Sequence, residues 1–249
     1  MTARAPREPP ALRGAPLDAP HEGRALRVYF ALTNDCNRAC PWCSVSSRPG
    51  LSTYLPLARF EALLPSEGRF EAQLEGGEPT LHPRLLDMVD LARATGRCDR
   101  VVLSTNGVRV PRSPEALDAW LARLGAPLTI KLSVNHHLIE EDPRCVARAQ
   151  VLRAAVDARR AMGDDVALIV NLRRRRAGPG DAWVRDLVER AGLLDITNDF
   201  FLQRYGLARD DETLEPPHLA GTNFILVNPD GTTHGTDLLA RSEAMGRLP

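Results

Sequence analysis

The chain has 249 residues, 43% of them hydrophobic and 26% charged, the composition of a globular protein with one sizeable core. Its 32 basic and 32 acidic residues cancel, so nothing in the balance favours nucleic acid or an acidic membrane surface as a partner. No apolar run is long enough to span a bilayer and the first 25 residues lack the apolar stretch of a signal peptide, so a cytoplasmic location is expected.

Residues 1–25 hold five prolines and almost no apolar periodicity, and read as a flexible arm. From Leu26 onward, apolar runs of strand length alternate with amphipathic helical stretches. Leu26 to Thr33 is the first expected strand, followed by a cysteine-rich loop and a helix over Leu57 to Leu64. Phe70 to Leu74 is the second; it ends at Gly76-Gly77-Glu78-Pro79, after which Leu85, Leu86, Val89 and Leu91 mark a helix. Val101 to Ser104 is the third, and Pro114 then opens a helix in which Leu117, Trp120, Leu121 and Leu124 share one face. The fourth strand, Leu128 to Val134, leads into a loop, NHHLIEEDP, and a long helix from about Arg144 to Met162. Val166 to Leu172, a helix over Trp183 to Arg190, and Phe200 to Arg204 complete six strands.

Six such units are too few to close an eight-stranded barrel, so the expected fold is α/β, a partial (β/α)6 TIM-like barrel over residues 26–205. Residues 206–249 form a C-terminal extension. Its FILVNPDGTTHGTDLL stretch, two short extended runs around Asn228-Pro229-Asp230-Gly231, predicts a β-hairpin.

Five cysteines make an odd number for a disulfide framework, and Cys36, Cys40 and Cys43 fall within eight residues. Three thiolates on one short loop can ligate a single 4Fe–4S cluster while leaving one iron open to a ligand that is not protein. A Cys₃His zinc site is the alternative, with no histidine close by in sequence. The remaining two cysteines are too few for an auxiliary cluster, so one cluster is expected. Lys131, the single lysine among the 32 basic residues, reads as a consequence of base composition.

CNRACPWC after an N-terminal strand, with Trp42 just before the third cysteine, resembles the radical S-adenosylmethionine (radical SAM) superfamily. The resemblance extends through Glu75-Gly76-Gly77-Glu78-Pro79, which matches that family's GGE(P) segment, and covers about residues 26–205. It implies two cofactors, one 4Fe–4S cluster on Cys36, Cys40 and Cys43, and S-adenosylmethionine chelated to the open iron and cleaved there to a 5′-deoxyadenosyl radical. It further implies that Gly76, Gly77 and Pro79 shape a backbone cradle for S-adenosylmethionine and that the Glu78 carboxylate meets its methionine ammonium. Ser104, Asn106, Ser133 and Asn135 stand at the ends of the third and fourth strands and Arg173 follows the fifth, where site residues gather in such barrels. Each reads equally well as a turn or capping residue.

The run Arg173 to Arg176 reads as a solvated strand end, and His136 and His137 as polar surface near the barrel mouth. Cys98 is expected at the opposite, N-terminal face. Cys145, near a helix start on the active face, is a candidate hydrogen-atom donor to a substrate radical, with a structural cysteine as the alternative. The context LTNDCNRACPWC and the PDG turn look most like peptide-modifying SPASM or twitch-type maturases, although no cysteine follows Cys145 to hold their auxiliary clusters. The expected substrate is a ribosomally made peptide, with a small metabolite or a non-catalytic cluster-bearing protein as alternatives. A flavodoxin or ferredoxin is the expected electron donor.

Overall fold

The computed structural model describes residues 25–175, 181–217 and 223–249. Residues 1–24 of the expected arm over 1–25, and Arg176 of the arginine run, lie outside the described residues. Among the described residues seven strands make one sheet: β1 (Leu26–Ala31), β2 (Phe70–Glu75), β3 (Cys98–Thr105), β4 (Leu128–Val134), β5 (Val166–Arg174), β6 (Thr197–Phe201) and β7 (Phe224–Val227). Their spatial order is β6-β5-β4-β3-β2-β1-β7, every neighbouring pair is parallel, and the sheet curls into a half-barrel.

The alternation of side chains along each strand explains both faces. Val28 and Phe30, Ala72 and Leu74, Val101 and Leu103, Ile130 and Leu132, Val170 and Leu172 point outward into one apolar core. Helices α1 (Leu57–Leu63), α2 (Leu85–Ala94) and α3 (Pro114–Leu124) cover that face, and Phe60, Met88 and Leu117 bring their apolar stripes into the core. Farther along, α5 (Cys145–Ala161) and α6 (Ala182–Arg190) add Leu152, Val156 and Val184. Each fully buried Val, Leu, Ile, Phe or Met among them stabilises the fold by about 1.5–3 kcal/mol relative to exposure. Alternate residues of the same strands, Tyr29, Gln73, Ser104, Lys131, Ser133 and Asn171, occupy the concave face and leave it polar.

Several expected elements differ from those observed. The NHHLIEEDP loop contains a short helix, α4 (His136–Glu141), whose first turn is capped by Asn135 Oδ1 accepting from the Leu138 amide at 2.9 Å. Six residues are too few to display a helical period, so the sequence reads there as loop. β3 begins three residues earlier than expected, which puts Cys98 at its N-terminal end, and β6 lies three residues upstream of its expected start.

The C-terminal hairpin is only half a hairpin. Its outgoing arm is β7, a seventh barrel strand paired in parallel with β1 through Arg27–Phe224 to Phe30–Val227. The return arm forms no regular strand; it is held by the Leu226 amide on the Gly235 carbonyl, the His234 amide on the Leu226 carbonyl, and one antiparallel bridge between Val227 and Thr233. It leads into α7 (Leu238–Met245), a helix that the sequence reading did not anticipate. The segment expected as an extension therefore completes the sheet. Among the described residues no helix is long and apolar enough to cross a membrane.

Candidate active site

Beyond Ala31 the chain turns into the cysteine loop, and the end of β2 holds its entrance in place. The Leu32 amide donates to the Glu75 carbonyl at 2.8 Å, Gly77 N–H to the Thr33 carbonyl at 2.7 Å and Glu78 N–H to the Asp35 carbonyl at 2.9 Å. Both glycines are forced by this approach. Gly76 has φ +125°, and a Cβ on it would stand 2.6 Å from the Thr33 carbonyl oxygen; a Cβ on Gly77 would overlap the Asp35 carbonyl oxygen. Close packing of the two strand ends thus requires the pair before any ligand is considered.

A cavity of about 360 Å³ runs along the concave face of the sheet. Cys36, Cys40 and Cys43 line it together with Gly76 and Gly77. Ser104 and Asn106 from β3 and the turn after it, Ser133 and Asn135 from β4 and its end, and Arg173 from β5 share the same wall. Asn135 spends its side-chain oxygen on the α4 cap. Pro79 is buried in the 3-10 turn Pro79–Leu81, where it fixes the turn without reaching the cavity.

Glu78 is placed differently from the expectation. It is fully buried and does not line the cavity. Its Oε1 accepts from Thr80 N–H (3.1 Å), Thr80 Oγ1 (2.6 Å) and Thr105 Oγ1 (2.7 Å), and its Oε2 from Asn106 N–H (2.8 Å). Burial pushes its carboxyl pKa up and these donors pull it back. The carboxylate ties the β2 turn to the end of β3, with three hydrogen bonds on Oε1 and one on Oε2.

Cys145 also departs from expectation. It is the first residue of α5, but it packs in the apolar core and does not line the cavity, and burial pushes its thiol up to about 11. Desolvation outweighs the helix N-terminus, and the thiol is not placed to pass a hydrogen atom to a substrate in the cavity. His136 is buried rather than on the surface: its Nδ1 lies 3.0 Å from the Asp181 carboxylate and its ring 4.5 Å from that of Trp42. The histidine therefore backs the cysteine loop from outside the cavity.

The donor set fits an iron–sulfur cluster. All three thiols are free, and burial pushes Cys36 and Cys40 up to about 12, so they need bound cations to ionise. Two sulfurs already receive hydrogen bonds that favour a thiolate, Cys36 Sγ from Asn106 Nδ2 at 3.7 Å and Cys43 Sγ from Ser47 N–H at 3.3 Å. Among the described residues no three His, Cys, Asp or Glu side chains are gathered as a single metal ion requires, whereas a cluster binds each cysteine to a different iron.

Other cavity residues carried no mark in the sequence. Tyr29, Lys131 and Asn171 reach the cavity as polar positions in otherwise apolar strands, and that period-two interruption is the signal that could have found them. Arg241 arrives from α7 and pairs with Glu75 at 2.6 Å; nothing local in sequence marks it.

A family model described as the radical SAM superfamily matches residues 30–173. A GTP 3',8-cyclase of Chlorobaculum tepidum is 36% identical over 93 residues, covering 36% of this chain and 28% of the relative. A PqqA peptide cyclase of Streptomyces rochei is 28% identical over 206 residues, 76% of this chain and 49% of the relative. The matched stretch thus spans less than half the length of either protein. Among solved structures, Streptococcus suis SuiB bound to its precursor peptide SuiA superposes with a TM-score of 0.54 at 11% identity, over 87% of this chain and 60% of that one, a likeness of fold.

Proposed function

The chain belongs to the radical SAM superfamily, and on that premise we propose that it is an enzyme holding one 4Fe–4S cluster on Cys36, Cys40 and Cys43, with S-adenosylmethionine beside it. When bound and reduced, that pair supplies a radical able to take hydrogen from an unactivated C–H bond. The observation that carries the reading is the presence of all three cysteines on the wall of one cavity beside the Gly76-Gly77 turn.

The protein's own contribution is placement and enclosure. Three thiolates would leave one iron of such a cluster open to the amino and carboxylate groups of S-adenosylmethionine. Gly76 and Gly77 present bare backbone there, and Ser104, Asn106, Ser133 and Arg173 are the side chains assigned to hold the cofactor. Asn106 serves twice, since the same amide group touches Cys36 Sγ and Asn37 Oδ1. Trp42, packed at a tilt against His136, lines one side, and Leu238 and Arg241 of α7 line another, where they would help to exclude water.

The substrate we assign is a peptide, supported by the likeness to PqqA peptide cyclase over 76% of this chain. A small metabolite is the second reading, favoured by the limited cavity volume and by the likeness to GTP 3',8-cyclase. A flavodoxin or ferredoxin would supply the electron.

Anaerobic reconstitution tests the chemistry. The wild-type chain is expected to bind about four irons and four sulfides and to release 5′-deoxyadenosine from S-adenosylmethionine under dithionite. Alanine at Cys36, Cys40 or Cys43 should abolish that release. Stoichiometric zinc without charge-transfer absorption, or undiminished cleavage by the triple alanine variant, would overturn the reading.

A further inference from the structure

We propose that Arg241 is a substrate-anchoring residue and that its substrate carries a carboxylate beside an apolar or aromatic group; this names the substrate class for the radical SAM reading and rests on it. The arginine is 4% exposed, sits on α7 and lines the cavity. Its guanidinium is held in a fixed plane, with Nη1 2.6 Å from Glu75 Oε1 and Nε donating to Asn228 Oδ1 at 3.3 Å. Asn228 is itself fully buried and oriented by the turn after β7, its amide lying 3.1 Å from His234 Nε2. Among the described residues the buried Nη2 has no hydrogen-bond partner. A buried guanidinium nitrogen left without an acceptor costs more than a formed hydrogen bond returns, and because Arg241 lines the cavity an acceptor placed there would satisfy it.

Charge decides what kind of acceptor. Arg27, Lys131 and Arg173 also line the cavity, while Glu75 is the one acid among the described residues lining it and is already engaged with Arg241. Basic side chains thus outnumber acids on the cavity lining, with Glu71 offsetting part of the charge of Arg27 and Lys131, and an anionic acceptor suits the donor there. The wall next to Arg241 is apolar and aromatic. Tyr29 and Phe224 meet edge to face at 5.8 Å, Arg27 lies 5.9 Å over each ring, and Leu226 and Leu238 continue the surface. A carboxylate attached to an apolar group matches that combination. β7 and α7 both follow residue 173, where the match to the family model ends, so this half of the cavity belongs to the part of the chain free to set specificity.

The test is isothermal titration calorimetry on the reconstituted full chain with two acid–amide pairs, hydrocinnamate against its amide, and acetyl-Phe-Asp-amide against acetyl-Phe-Asn-amide. The wild type is expected to bind at least one acid about tenfold or more tightly than its amide. Whichever pair binds more tightly tells whether the carboxylate comes from a free acid or a peptide side chain. Arg241→Met should lose the preference. Glu75→Gln, which keeps an amide oxygen to accept from Nη1 but removes the competing negative charge, should bind the acid more tightly than wild type and serves if Arg241→Met fails to fold. Equal or absent binding of acid and amide by the wild type, a preference that survives Arg241→Met, or weaker acid binding by Glu75→Gln overturns the proposal. Iron content and 5′-deoxyadenosine release by the wild type report on the family chemistry separately, so a chain that passes them yet shows no acid preference lacks this anchor alone.

Discussion

Glu78 receives four hydrogen bonds from three residues on two elements, and its carboxylate is more demanding than a cofactor contact would be. An amide in its place presents N–H where one oxygen now accepts, and sets donor against donor at Thr105, Thr80 or Asn106. Leaving one of those buried groups unsatisfied costs about 1–3 kcal/mol. Glu78→Gln is therefore expected to lower the free energy of unfolding by that amount in urea titrations. Affinity for S-adenosylmethionine should fall only as far as Asn106 and the glycine turn shift. A variant with wild-type stability that no longer binds the cofactor in calorimetry would place the carboxylate on the ligand instead. Cys145 makes the complementary point, because burial in the core outweighs what the Val146 amide at the helix start gives the thiol.

At the scale of elements, the β2 turn and the entrance to the cysteine loop behave as one unit, joined by the Gly77 and Glu78 amides. Gly77→Ala would drive a methyl group into the Asp35 carbonyl, and backbone has no flexible end to swing away. Overpacking of this kind costs about 1–3 kcal/mol and displaces the loop that carries Cys36. The expected result is fewer irons per chain after reconstitution at a modestly lowered melting temperature; full iron content with unchanged melting would refute the coupling. Strands β1 to β5 were legible from sequence because each buries alternate apolar residues in the core, and the cysteines because their spacing is itself the chemistry. The polar residues of the concave face were not legible in the same way. Lys131 read as an accident of composition until the β3–β4 register set it level with Ser104 inside the cavity. α4 was missed because six residues cannot show a period, and β7 because a run followed by a PDG turn reads as a hairpin arm whichever neighbour it finds.

At the scale of the whole molecule, the C-terminal segment of the described chain closes on the cysteine loop. β7 pairs with β1, and α7 then crosses to the loop, where Ser242 Oγ donates to the Ser44 carbonyl at 2.6 Å. Met245, 1% exposed, packs with Ala31 and Val45 in a small apolar cluster that also touches Cys43 and Leu248. Asn34 and Thr53 side chains donate to the Pro249 carbonyl at 2.9 and 2.8 Å, which fastens the same region. This satellite cluster has few residues to rearrange, so a hole made in it cannot be filled by neighbours. Met245→Ala should therefore cost about 2–5 kcal/mol locally, and the cost should fall on the cysteine loop rather than on the main core, with which Met245 shares no cluster. The expected signature is faster amide hydrogen exchange over residues 43–47, with protection of β3 and β4 unchanged, and faster loss of iron to a chelator from the reconstituted chain. Uniformly faster exchange throughout the sheet would mean that α7 supports the whole fold, and unchanged exchange at the loop would mean that it supports neither.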